Sequence, residues 1–144
     1  MLHDLGEEFL LDIVFEESET KPASLTVGLF NSQTDTLQDG SDLADITSEP
    51  TGSAYARQTV TFGTDWSNQN NTGIWESILA NKTFDVSDSD ETVDSWFLVA
   101  NFQSDGAGDS SANDHLIISG TLSRAFDLSG MVEFTINGSG VSLD

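Results

Sequence analysis

The stretch Thr92–Gln103, TVDSWFLVANFQ, is the most apolar run of the chain, and its reading decides the fold. Apolar side chains fall on both faces of any extended form of it, as in a strand covered on both sides. It therefore reads as a central strand. Working outward, His115–Thr121 (HLIISGT) is a second buried strand. Ser24–Asn31 (SLTVGLFN) alternates Leu25, Val27 and Leu29 with smaller residues, and Tyr55–Phe62 alternates Val60 and Phe62 with Thr59 and Thr61. Trp75, Ile78 and Leu79 lead into a strand at Lys82–Val86. Met131–Ile136 and Gly140–Leu143 form a hairpin, with Asn137-Gly138 in the turn position. Between these runs lie polar segments. Ser32–Gly52 is long and acidic, Trp66–Gly73 is an Asn-rich loop, Ser87–Glu91 is an acidic turn, and Ser104–Asp114 is a loop of Gly, Ser and Asp. Strands of even spacing with turn signals between them define an all-β fold. The expected architecture is a β-sandwich or jelly roll of about seven to eight antiparallel strands.

The N-terminal segment differs. Leu2, Leu5, Phe9 and Ile13 share one helical face, with Leu10 and Val14 beside it. Asp4 followed by Glu7 has the spacing of a capping box. Phe9, Leu11, Ile13 and Phe15 also alternate as a strand would; the helix is the reading adopted, over residues 1–17. With 144 residues, no internal repeat and no linker, the chain reads as one domain, 1–144, long enough to bury a core.

Charge excludes more than any motif does. Asp plus Glu number 25 and Lys plus Arg number 4, for a formal charge of −21. Lys21, Lys82, Arg57 and Arg124 cannot neutralise a phosphate backbone, so no nucleic acid is expected as a partner. Anionic membrane surfaces are disfavoured likewise. No apolar run approaches the roughly 18 residues of a membrane span, and no signal peptide is visible. Cysteine is absent, so disulfides and thiolate chemistry are excluded. Self-repulsion of this size opposes folding, but concentrated salt shortens its range from about 8 Å to about 3 Å. Dispersed acids with few lysines thus point to a halophilic protein.

Catalytic residues are scarce. His3 lies at the terminus and His115 at a strand start, and no nucleophile elbow, paired-histidine zinc motif or phosphate loop occurs. No enzyme is expected. Oxygen-rich loops suit hard cations, so Asp105, Asp109 and Asp114 are the candidate ligands for a divalent or monovalent cation; the alternative is a solvated loop. No other cofactor is expected. Further acidic clusters lie at Asp35, Asp39, Asp42 and Asp45, and at Asp88, Asp90 and Glu91. Sequons occur at Asn70, Asn81 and Asn137. Trp66, in a polar loop, is the candidate for stacking on a ligand such as a glycan, or else it plugs one end of the sandwich. Trp96 reads as core. Arg57, one of so few cations, is expected to find a carboxylate partner in a bidentate pair.

The ordered set LLDIV near the start, LTVGLF, Gly52–Gln58 (GSAYARQ), TVTF, Thr83–Val86 (TFDV) and Ile118–Ser123 (ISGTLS) resembles a group of small virion structural proteins of tailed viruses. Members are similar in a short N-terminal helix and in "VGL", "YAR", "TFDV" and "SGTLS" strands. This chain departs from them in its acidic rather than Ala-rich helix and in longer loops. The resemblance implies a capsid decoration, turret or tail protein, here of a haloarchaeal host. It would sit in the virion after assembly in the host cytoplasm, as a homo-oligomer or bound to other virion proteins. A tail-fibre adhesin for host-surface glycans is the alternative. Tyr55 and Arg57 match "YAR" and would serve folding or subunit contact. Leu10, Ile13 and Val14 are the further candidates for contact with a neighbour or for covering the domain's own core.

Overall fold

The computed structural model describes residues 1–16, 21–22, 24–101, 114–137 and 140–143. Its longest ladder joins β6 (Thr92–Asn101) to β7 (Asp114–Asp127), antiparallel, with Trp96 opposite Gly120 and Leu98 opposite Ile118. β1 (Ser24–Phe30) pairs with the other side of β6, and β2 (Gln58–Thr61) pairs with β1, giving a sheet of order β2-β1-β6-β7. Facing it are a three-stranded sheet, β3 (Trp66–Asn71), β4 (Ile74–Leu79) and β9 (Gly140–Leu143), and a two-stranded sheet, β5 (Lys82–Asp85) with β8 (Glu133–Ile136). The fold is all-β and sandwich-like, with a short N-terminal helix.

Period-two patterning explains the layers. Leu25, Val27, Leu29, Val93, Trp96, Leu98 and Ala100 point inward from the large sheet. They meet Leu79, Phe84, Val86, Phe134 and Ile136 of the facing strands. β6 is central and buried on both faces, which is why its sequence is apolar throughout. Its outer face carries Phe97 and Val99, packed with Phe30 and Leu116. Leu37, Leu43 and Ile46 from the acidic segment cover that second cluster. Those three residues turn a polar segment into a lid over the sheet's outer face. Gly28 is needed beneath it, because a Cβ there would lie 2.4 Å from the Phe97 ring and 2.9 Å from Glu49 Oε1.

Several elements differ from the sequence expectation. β8 and β9 do not form the expected hairpin: β8 pairs with β5 and β9 with β4, in separate sheets. Trp66–Asn71 is β3, not a loop: six consecutive register positions against β4 override the poor strand propensity of Asn and Gln. β7 runs on past Thr121 to Asp127, because pairing with β6 continues through a register irregularity. At the N-terminus, α1 (Asp4–Leu11) continues into a single π-helical turn at Asp12–Glu16. The N-cap of α1 is His3 and not Asp4, and no side chain caps it. Before it, Met1–His3 adds an extended stretch to the edge of β7. The His3 N–H donates to the Ile117 carbonyl at 3.0 Å and the Ser119 N–H to the Met1 carbonyl at 2.9 Å. The Met1 ammonium donates to the Ser119 carbonyl. Gly6 lets α1 lie directly on this strand, since a Cβ there would stand 2.3 Å from the Ile117 oxygen.

Candidate functional site

The acids of the long segments act as internal acceptors. Asp35, 6% exposed, accepts from the hydroxyl and amide of Thr47 at 2.7 and 2.9 Å, and from both groups of Ser48. Asp94 accepts from the Ser32 amide and hydroxyl at 2.7 and 2.8 Å. Glu91 binds the same two groups of Thr51, and Asp88 binds the Ser53 hydroxyl and Ala54 amide. Burial alone would raise the carboxyls of Asp35, Asp94 and Glu91. Their hydroxyl and amide donors together outweigh it and hold all three below their usual range. The Ser53 hydroxyl, followed by backbone donors, does the same for Asp88. Asp94 staples Ser32 to β6, and Glu91 and Asp88 staple Thr51, Ser53 and Ala54 to the turn before β6. Asp35 ties the two halves of the acidic segment together.

The strongest constellation joins Glu49, Tyr55 and Arg57. Arg57 Nε and Nη2 donate to Glu49 Oε1 and Oε2 at 2.9 and 2.8 Å, a bidentate pair. Tyr55 donates its hydroxyl to Glu49 Oε1 at 3.0 Å and accepts from the Leu29 amide at 2.9 Å. β2 stops opposite Val27, so Tyr55 supplies the partner that a longer β2 would have given Leu29. The ring stacks on Phe84 at 5.7 Å, and the guanidinium lies 5.0 Å from the Phe97 centroid. The hydrogen bond that Arg57 donates to Glu49 and the charges of the Glu49 and Asp114 carboxylates raise Arg57 above its ordinary value against the opposing effect of burial. Burial, with Glu49 beside it, pushes the Tyr55 hydroxyl far up, so it stays protonated. This is a clasp that locks a cation and a protonated phenol on one carboxylate.

His3, although at the terminus, is fully buried. Its Nδ1 faces the Gln38 and Asp39 carbonyls at 3.0 and 3.3 Å, so Nδ1 donates; in the neutral ring Nε2 accepts from the Ser119 hydroxyl at 2.9 Å. It ties the N-terminal stretch to β7 and to the acidic segment.

Of the predicted cation ligands, Asp105 and Asp109 lie outside the described residues, and Asp114 opens β7 opposite Asn101. Among the described residues no group of three His, Asp or Glu side chains is placed to hold a metal ion. No described helix is long and apolar enough to cross a membrane. Asn70 sits at the β3–β4 hairpin, accepting from the Gly73 amide, and Asn81 is exposed between β4 and β5.

The remaining feature is apolar. A groove of about 570 Å³ runs between α1 and the β3–β4 hairpin, lined by Phe9, Leu10, Phe62, Trp66, Trp75 and Ile118 among others. Trp66 is half-buried, packs against the core, and has a buried Nε1 with no partner among the described residues. Trp75, one of the aromatic residues that raise sugar binding from sequence, is 59% exposed. Ile13 packs against the core, whereas Leu10, Leu11, Val14 and Phe15 stay exposed, Phe15 by 76%. Leu10 and Val14 therefore face outward, and Ile13 faces inward. Comparison with known family models, curated proteins and solved structures gives no match.

Proposed function

We propose that the chain is a non-enzymatic structural protein on the capsid surface, a decoration or turret module, of a tailed virus of a halophilic archaeon. The observation that carries the docking part of this reading is the exposure of Leu10, Leu11, Val14 and Phe15 at the end of α1, with Trp75 across the groove, on a chain of charge −21. Large apolar side chains left together in water mark a contact surface. The ordered resemblance in sequence and the dispersed acids supply the virion and brine parts. In this reading the sandwich is a stiff body, its acids face brine, and the α1 end seats it on a neighbouring subunit.

Antibody against the chain should decorate intact, density-purified particles from the producing culture. Absence of the chain from such particles would overturn the reading. The variant Val14→Ser/Phe15→Ser should keep its unfolding midpoint and lose particle binding. A second reading, a tail-fibre adhesin for surface glycans, is favoured by exposed Trp75 lining the groove with Trp66, Asn68 and Glu76. Saturable glycan binding in molar salt, abolished by Trp75→Ala, would support it over docking.

A further inference from the structure

A second cleft, of about 670 Å³, opens between β7 and β8 on the side away from β1. Trp96, Phe126, Phe134 and Ile136 contribute its apolar lining, while Thr121–Ser123 and Thr135 border it. Gly120 keeps the lining flat, since a Cβ there would meet the Trp96 indole at 2.7 Å.

Both borders are strand edges whose main-chain groups point into the gap. On β7, the amide and carbonyl of Ser119 face away from β6, where Met1 binds them. Strand groups repeat their direction every second residue, and pairing with β6 is regular from Ser119 to Thr121. Thr121 therefore continues the row that Met1–His3 has begun to cover, one step beyond Met1. On β8, the Val86 amide donates to the Val132 carbonyl, so Val132 and Phe134 address β5 while Glu133 and Thr135 turn away from it. Among the described residues no strand pairs with the outer side of Thr121, beyond its pairing with Ser95, or with the outer side of Thr135.

We infer that this cleft takes an extended segment of a partner protein as an added strand, paired with Thr121 on one side and Thr135 on the other. Alternate apolar side chains of the segment would rest on Trp96 and Phe134. The segment is neutral or basic. The chain carries −21, and among the described residues the only charged side chain shown against the cleft's lining is Arg124, over the Phe126 ring at 4.8 Å. This surface is separate from the α1 end, so particle labelling and strand addition succeed or fail independently.

The test follows amide exchange by NMR on the full chain in molar potassium chloride. Three synthetic probes are added: an alternating Val–Lys hexapeptide, its Val–Glu counterpart, and the Val–Lys peptide N-methylated at alternate residues. The Val–Lys peptide should slow exchange at Thr121 and Thr135 by at least about tenfold while leaving Ser119 unchanged. The other two should do neither. Thr121→Pro and Thr135→Pro should each abolish the effect. Neither amide serves the free chain's ladder, so proline there removes no backbone bond; Thr135→Pro also gives up the hydroxyl contact with Thr83, and if one variant fails to fold the other carries the test. No slowing with the Val–Lys peptide, or equal slowing with the N-methylated one, overturns the inference. Slowing without peptide that vanishes on dilution also overturns it, because the occupant is then a second copy.

Discussion

Arg57 shows how a scarce cation is placed. With 25 acids in the chain, a partner for it was foreseeable, but nothing in the sequence singles out Glu49 among them. The choice depends on Tyr55 and Gly28, which share the carboxylate's position only after β1 and β2 have paired. Glu49→Gln removes the charge and one strong acceptor from a pair only 30% and 20% exposed. It should cost about 2 kcal/mol in denaturant unfolding. An unchanged midpoint would mean the clasp adds nothing to stability. Gly28→Ala should be worse than Glu49→Gln, because the new methyl meets Phe97 as well as the carboxylate.

Among elements, the β3–β4 hairpin carries visible strain. Thr72 adopts φ +53° and Gly73 φ +96°, the pattern of a tight turn with two left-handed residues. A β-branched residue is poorly suited to the first of these. Thr72→Asn should raise stability by roughly 0.5–1 kcal/mol, read as a shift in thermal midpoint. At the N-terminal stretch, His3→Ala removes the bonds to Gln38 and Ser119. Exchange of the Ser119 amide should then speed up with little change at Leu98. Uniform acceleration would instead make His3 a determinant of global stability. These two elements also mark where sequence reading stopped. Strong period-two runs such as Leu25–Leu29 and Val93–Ala100 were legible because burial imposes them directly. β3 was hidden by Asn and Gln, whose pairing partners lie across a hairpin. The lid residues Leu37, Leu43 and Ile46 follow no period because each meets the outer sheet from a loop. Trp75 stands out in the sequence as one of the aromatic residues that raise sugar binding, but its exposure is set by tertiary packing and not by its neighbours in the chain.

On the scale of the whole molecule, two classes of carboxylate separate. The acids without a cation repel one another through solvent, and their cost should fall with added salt. The unfolding midpoint should therefore climb steadily from millimolar to molar potassium chloride, as measured by circular dichroism. A flat response would remove the halophilic argument. The stapling acids behave differently. Asp35, Asp88, Glu91 and Asp94 hold protons less tightly folded than unfolded. Their contribution is complete above the ordinary carboxylate range and is lost as pH falls through the lowered folded values. In molar salt, stability should stay level from neutrality to about pH 4 and drop below it. A stability rise on acidification below that point would contradict the staples.

The pairing of Met1 with Ser119 bears on how the protein is handled at the bench. That stretch runs antiparallel to β7, so anything fused ahead of Met1 is aimed along the same edge toward Thr121. A purification tag of alternating character would thread itself into the β7–β8 cleft and act as a built-in competitor. Tagged and tag-cleaved preparations should thus differ in Thr121 amide exchange, and interaction screens run on an N-terminal fusion would report a site already filled.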